Sequence, residues 1–320
     1  MNRISVIICT WNRAELLLKT LQSLCRQTGI ATSEVEVVVV DNNSTDNTRR
    51  VVEGEIKQWP LGRLVYEFEP RQGKQFALNR GVSAATNPVL AFTDDDIIFD
   101  SDWLAQVQAL FAEEHVELAG GKTLIAWGLS GPPVWFSDGM QAVLGGVDLG
   151  DLRLDPGPPG YAPGGANLLA RRALFDRVGA FSEGHYRHMD FEFGLRCQSL
   201  GVRVVYDPRP TVYAPVDERC LTLRYFRRWS FKAGIGRSGG IEAAGKGAPR
   251  VPLWVYRQLV EDWAATFHRR NAALTPHHFS RELRMWRCWG TVANAWHAWL
   301  RPGTHAEWVK SKSQKTVDLY

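Results

Sequence analysis

Residues 89–100 read VLAFTDDDIIFD and set Asp94, Asp95 and Asp96 side by side at the end of an apolar run. Three adjacent carboxylates repel one another, and no cation within the stretch offsets them. The pattern therefore expects a positive partner from outside the chain. Clustered hard oxygen donors suit Mg²⁺ or Mn²⁺, which commonly share their coordination with substrate phosphates. An acidic turn that caps a helix and pairs with arginines is the bland alternative, and the position of the triplet decides between them.

Three further clusters invite chemistry. Asp41 closes the run VEVVVVD and precedes NNSTDNT. As an acceptor-only carboxylate it suits the imino group of a nucleotide base, and it equally suits an Asx turn leading into a helix. EPRQGKQFALNRG supplies Arg71 and Lys74 beside a flexible Gly73 and a helix start, a phosphate cradle or a solvated basic loop. In HYRHMDFEFGLR, Asp190 and Glu192 diverge by about 200° on a helix, so one is a candidate base and the other supports the fold. His185 and His188 have no third His or Cys at a spacing that makes a metal site.

The elements that must position these residues follow from periodicity. ISVIICT (4–10), VEVVVVD (35–41), RLVYEFE (63–69) and PVLAFTD (88–94) are apolar runs of strand length. Between them lie RAELLLKTLQSLCRQ (13–27), a segment starting near Asp46, and GKQFALNRGVSAA, all with helical spacing or N-terminal signals. Strand alternating with helix predicts an α/β fold with a parallel-rich sheet. In such sheets ligands sit beyond the carboxyl ends of the strands. All four clusters after those strands (TWNR, Asp41, EPRQGK, the triplet) converge there, which favours the metal reading. Residues 120–166 are rich in Gly and Pro and read as long ordered loops; helices are expected over 171–181 and 188–201, with a strand at VRVVYDP.

Composition narrows the classes. The 320 residues are 45% hydrophobic and 22% charged with a formal charge of +4, which fits a globular protein and gives no nucleic-acid footprint. Five scattered cysteines without a CxxC pair fit a reducing compartment. No stretch approaches the ~20 apolar residues of a spanning helix, and the first apolar run is too short for a signal peptide, so a cytoplasmic location is expected. CTWNRAE lacks the glycines of a dinucleotide-binding turn. A haloacid-dehalogenase-type phosphatase would carry its aspartates after strand one, with Thr or Val where Ile98 stands.

The series of motifs resembles the inverting nucleotide-sugar glycosyltransferases of family 2, over residues 3–235. ISVIICTWNR is similar to their opening strand and turn, VVVVDNNSTDNT to their VVDNGSTDGT, and FTDDD to their D-x-D motif. GKQFALNRG, PGGANLLARRALFDRVGAFSE and MDFEFGLR resemble the segments that follow in that family. The resemblance implies a GT-A fold and transfer of one sugar from a nucleoside-diphosphate sugar, UDP-linked, to a sugar, lipid-linked or small-molecule acceptor. It implies that Thr10, Asn12 and Arg13 line the nucleotide, Asp41 holds the base, and Lys74, Asp94 and Asp95 take part in donor binding. Asp96 would ligate Mn²⁺ or Mg²⁺, and Asp190 would be the general base. Met189 departs from the pattern where an acidic residue commonly precedes the base, and Tyr225 in YFRRW stands where processive synthases carry Gln. Within the same fold, the alternatives are a catalytically silent binding domain and a nucleotidyltransferase, whose usual Gly-rich basic signature is absent.

The implied division is a catalytic domain at 1–235, a Gly-rich hinge at 236–252 and a helical region at 253–320. The last holds seven of the thirteen tryptophans. In it Trp286, Trp289, Ala293, Trp296 and Leu300 recur at helical steps, as do Val255, Leu259, Trp263 and Phe267. Such stripes pack as core. With Arg281, Arg284, Arg287 and Arg301 beside them, they also suit peripheral contact with anionic membrane.

Overall fold

The computed structural model describes residues 2–185, 187–237, 249, 251–267 and 274–313. They fall into two compact units: Met1–Ala126, Gly145–Gly184 and Met189–Pro215 in one, and Trp127–Leu144, His185–His188 and the chain from Val216 in the other.

The first unit is built on eight strands: β1 (Ile4–Thr10), β2 (Val35–Asp41), β3 (Arg63–Phe68), β4 (Val89–Asp94), β5 (Ile98–Phe99), β6 (Leu118–Ala126), β7 (Leu168–Arg171) and β8 (Val204–Pro215). Their order is β3-β2-β1-β4-β7-β6-β8-β5. The first four strands pair in parallel, β7 runs antiparallel to β4 and β6, and β6 and β8 are parallel. Every residue of β1 and β2 is buried, because helices cover both faces. Alternation sends Ile4, Val6 and Ile8 to one core layer and Ile7 and Cys9 to the other. The first layer is completed by α1 (Ala14–Leu24), α2 (Thr48–Ile56) and α4 (Trp103–Leu110). The second is completed by α3 (Lys74–Ala84), α5 (Arg172–Val178) and α6 (Met189–Ser199). Each large apolar side chain buried in these layers contributes ~1.5–3 kcal/mol.

The strands and helices expected up to residue 94 are present with ends shifted by a few residues. The expected loop at 120–166 begins instead with most of β6. Its glycines hide a strand signal, and their role is close approach. A Cβ on Gly120 would strike the Tyr161 hydroxyl, and one on Gly121 would strike the Asn167 amide and the Pro210 carbonyl.

The second unit contains α7 (Leu223–Arg237), α8 (Leu253–Phe267), α9 (Pro276–Leu300) and α10 (His305–Ser313). Helix α7, which the sequence sets at the end of the catalytic domain, lies in this unit. Most of the segment 236–252 expected as a hinge is outside the described residues. Trp135 packs edge-on against Phe226 and Phe279, at 5.0 and 5.1 Å between ring centroids, tying the 127–144 loop to α7 and α9. Helix α9 starts with Thr275 as its cap and Pro276 in the first turn, a conventional start for a helix.

Candidate active site

The sheet order makes β1 and β4 the point where the chain reverses its direction of travel across the sheet, leaving a crevice beyond their carboxyl ends. Cys9 pairs with Asp94 in register, so the turn after β1 and the aspartate triplet face each other across that crevice. Thr10 Oγ1 donates to Asp95 Oδ2 at 2.8 Å. Arg13 Nη1 lies 2.8 Å from Asp95 Oδ1 and 2.8 Å from Asp96 Oδ2. Asp95 is therefore buried as a brace between the two strands. Asp96 is partly exposed, and its Oδ1 has no protein partner among the described residues.

Lys74, at the start of α3, forms an ion pair with Asp94 Oδ1. Part of the charge of the triplet is thus offset from within the chain. Arg13 and Lys74, carried by two other strand-to-helix turns, pair with all three carboxylates. Burial alone would depress the pKa of both cations, but the carboxylates outweigh it and the net shift is upward in each. Asp190 is a further negative neighbour of Lys74. For Asp95, burial pushes the carboxyl pKa up, against Arg13 and Thr10, which pull it down.

Asn12 adopts a positive φ of 52°, and its Oδ1 accepts from Thr45 N at 2.7 Å. Its own N–H donates to Ser44 Oγ at 2.9 Å. Asn12 thereby latches the β1 turn to the loop after β2. Asp41 is buried at the foot of that loop, with Oδ1 accepting from Ser44 N (2.9 Å) and Oδ2 from the Tyr66 hydroxyl (2.8 Å). The turn-forming side of the two readings of Asp41 is therefore realised, with each oxygen keeping spare acceptor capacity.

Asp190 lies in the first turn of α6, half-buried, with Oδ2 accepting from Gly165 N at 2.7 Å and Oδ1 from Phe191 N at 2.9 Å. Two backbone donors fix its orientation. A Cβ built on Gly165 would come within 3.2 Å of Asp190 Oδ2 and 3.6 Å of Lys74 Nζ, so these two groups approach the same backbone position. Glu192 is instead paired with Arg196, Oε1 at 2.7 Å, and Arg196 also donates to the Val178 and Ala180 carbonyls. It supports the fold.

Two residues that shape the site gave no signal of chemistry in the sequence. Tyr66 reads as an ordinary strand aromatic, and only strand pairing reveals its hydroxyl at Asp41. Asn42 reads as a turn residue. Its Nδ2 donates to the Arg71 carbonyl at 2.7 Å and its Oδ1 accepts from Gly73 N at 2.8 Å. That contact sets the loop that delivers Lys74. Gly73 has φ of 146°, and a Cβ there would meet the Gln75 side chain at 2.8 Å.

The fold is of the GT-A type. A mannosyltransferase of Pyrobaculum calidifontis, solved in complex with GDP-Man and Mn²⁺, is similar over 98% of this chain and 84% of its own, at 20% identity and a TM-score of 0.59. S. aureus TarS 1-349 in complex with UDP is similar over 91% of this chain and 90% of its own, at 18% identity and a TM-score of 0.51. Residues 5–128 match the family model described as Glycosyl transferase family 2. A PGL/p-HBAD biosynthesis glycosyltransferase of Mycobacterium tuberculosis (strain ATCC 25177 / H37Ra) is 32% identical over 203 residues, which are 61% of this chain and 69% of that protein. The chain belongs to glycosyl transferase family 2 and is a glycosyltransferase.

Proposed function

We propose that the protein is an inverting, metal-dependent transferase that moves one sugar from a nucleoside-diphosphate sugar, UDP-linked, to an acceptor hydroxyl, with Asp190 as general base. The observation that carries this reading is the pairing of two kinds of carboxylate near one cation. Asp190 is held by two backbone N–H groups, Asp94 forms an ion pair with Lys74, and Lys74 feels both.

The step is a single displacement. The acceptor oxygen attacks the anomeric carbon as its proton passes to Asp190, while the bond from that carbon to the diphosphate breaks on the opposite face. One inversion of configuration follows. Negative charge grows on the departing diphosphate, and Lys74 and Arg13 are the cations of this chain best placed to stabilise it. Asp96 fits a Mn²⁺ or Mg²⁺ ion, since it offers a hard oxygen with no protein partner and is reached by solvent. The ion, when bound, would supply positive charge against the diphosphate.

Asp41 would meet the base. A uracil offers it one imino donor, which matches a carboxylate whose two oxygens already hold one donor each. The ligands of the structural relatives, GDP-Man in one and UDP in the other, support a nucleotide-sugar donor and differ in base. The acceptor is a sugar, lipid-linked or small-molecule hydroxyl in the building of a polysaccharide or glycoconjugate, reached on the cytoplasmic side with peripheral membrane contact. No helix of the described residues is long and apolar enough to cross a membrane.

The test is a panel of UDP-, GDP- and dTDP-sugars scored for hydrolysis and transfer with Mn²⁺, with Mg²⁺ and in EDTA. Turnover with a UDP-sugar that is lost in EDTA and in Asp96→Ala is expected. Equal turnover in EDTA would overturn the metal role, and a retained anomeric configuration in the product would overturn the single displacement.

A further inference from the structure

Helices α8 and α9 pack on each other through Val255, Cys288, Val292 and Ala295, which are buried. Trp296 Nε1 donates to the Tyr256 hydroxyl at 3.1 Å. Leu259 and Trp263 line a groove with Met285, Trp286 and Trp289, so the two helices run antiparallel. The groove has a volume of about 400 Å³ and is lined entirely by apolar and aromatic side chains, Val260 completing the set.

Away from the packed face, large apolar side chains point outward. On α8, Leu253 is 84% exposed, Trp254 66%, Val260 63% and Trp263 57%. Positions 253, 260 and 263 lie seven and ten residues apart and so share one helical stripe. On α9, Trp289, Trp296, Trp299 and Leu300 are also exposed, and 289, 296 and 300 repeat at seven and eleven. The antiparallel pairing brings the Trp289 end of one stripe beside Trp263, and Tyr256 beside Trp296. The result is one continuous exposed apolar strip along the helix pair, of the kind a soluble protein seldom leaves uncovered.

The stretch of chain that carries the strip is basic in sequence. From residue 216 onward the chain has eighteen Lys and Arg against eight Asp and Glu, whereas the whole chain carries only +4. The remaining residues are therefore net negative. Two of the four arginines that the sequence sets beside the tryptophans are held by a carboxylate. Arg281 and Arg284 hold the buried Asp262 at 3.0 and 2.7 Å. Arg284, Arg287 and Arg301 are exposed, and Arg301 directly follows Leu300 at the end of the strip.

We infer that the α8–α9 strip is a bilayer-docking surface that inserts its tryptophans and leucines into the interface of an anionic membrane. Trp and Leu along the strip, with Arg301 at its end, suit the boundary between acyl chains and headgroups. The surplus of cations over this part of the chain supplies long-range attraction to anionic headgroups, and apolar insertion supplies the retention. This deepens the reading of a peripheral transferase, on which it rests: a membrane-docked enzyme takes an acceptor carried on a lipid.

The experiment uses the full chain with vesicles of phosphatidylcholine alone and with phosphatidylglycerol added, at low and high salt. Co-sedimentation is read together with quenching of tryptophan emission by brominated lipid. Binding to the anionic vesicles with quenching, weakened by salt, is expected. Leu253→Ser and Trp289→Ser change exposed side chains of the strip, and each should lower partitioning by roughly tenfold while leaving lipid-free donor hydrolysis unchanged. No sedimentation at low salt would overturn the inference. So would a lipid-free dimer that dissociates in those same variants, because the strip would then be covered by a second copy. Donor hydrolysis in lipid-free buffer separates the two readings. Vesicle binding without any hydrolysis would remove the transferase reading and leave the docking surface standing.

Discussion

The crevice of the first unit and the α8–α9 pair of the second invert each other's arrangement. At the crevice a scaffold of buried Ile and Val strands displays Asp94 and Asp96 at its rim with Asp95 buried between them, each paired with a cation from another turn. In the helix pair a carboxylate, Asp262, is fully buried and holds two arginines, while the tryptophans face out. The difference teaches where to read function. Charges exposed on a rigid apolar frame are available to a ligand, whereas charges buried among helices serve the frame and leave the exposed apolar groups as the reactive surface.

The crevice half of that contrast breaks most decisively at Asp190. Asp190→Asn preserves the size of the side chain, so donor binding measured by calorimetry should persist. Transfer should fall by ~10²–10⁴-fold with the loss of the general base. A variant that transfers at the wild-type rate would place the base elsewhere. Glu192 is a poor substitute, being tied to Arg196.

The helical half breaks at Asp262. Asp262→Ala strands two guanidinium groups at a buried site, and removing one partner of a buried pair costs about 3 kcal/mol, lowered somewhat by the solvent that reaches both arginines. Urea unfolding should show that loss while donor hydrolysis in folded protein is kept. For Asp262 itself burial raises the carboxyl pKa, yet Arg284 and Arg281 outweigh it and the net shift is downward. Its contribution is thus present above the usual carboxylate range and lost as pH falls through the lowered value, so Asp262→Ala should be less acid-sensitive than the wild type.

The two halves differ in how legible they were. The strands of the first unit are read directly from apolar runs because both faces are covered, and the carboxyl-edge rule then gathers Thr10, Arg13, Lys74 and the triplet from distant stretches. The pairing among them is not legible. Nothing local says that Arg13 reaches Asp95 and Asp96, or that Tyr66 serves Asp41, since those contacts are set by strand order and register. Strand β6 was concealed by Gly120 and Gly121, which are demanded by neighbours far along the chain. In the helical unit the tryptophan stripes were legible at helical spacing, but the pairing of Arg281 and Arg284 was not. Their partner Asp262 lies on the other helix, and sequence spacing cannot report a contact between helices.

A smaller effect sharpens the role of Asp41, which mixes frame and ligand functions. Asp41→Asn keeps the shape but weakens the bonds from Ser44 N and the Tyr66 hydroxyl, at a cost of about 1 kcal/mol. If Asp41 also meets the base, binding of UDP and dTDP, whose bases present the same imino N–H, should weaken relative to GDP in side-by-side titrations. An unchanged preference with a lowered melting temperature would confine Asp41 to the frame.

The smallest expected effect tests whether cations in the helical unit are crowded as well as numerous. Burial, reinforced by Arg187, Arg228 and Lys312, lowers the Lys232 pKa from its usual 10.5 to about 8. A lowered folded pKa for a lysine means that the charged form is disfavoured in the native state. Below pH 8 that penalty is fully present. Between pH 8 and 10.5 the native state has released the proton while the unfolded chain still holds it, so this residue makes stability rise with pH across that window. Lys232→Met carries no such proton. It should therefore be more stable than the wild type at pH 7, by less than ~1 kcal/mol after solvent screening, with the gap narrowing as pH approaches 10. The measurement is paired urea unfolding at pH 7, 8.5 and 10. A gap that stays constant would show that Lys232 keeps an ordinary pKa, and that the positive charge of this unit is spread widely enough to remain solvated.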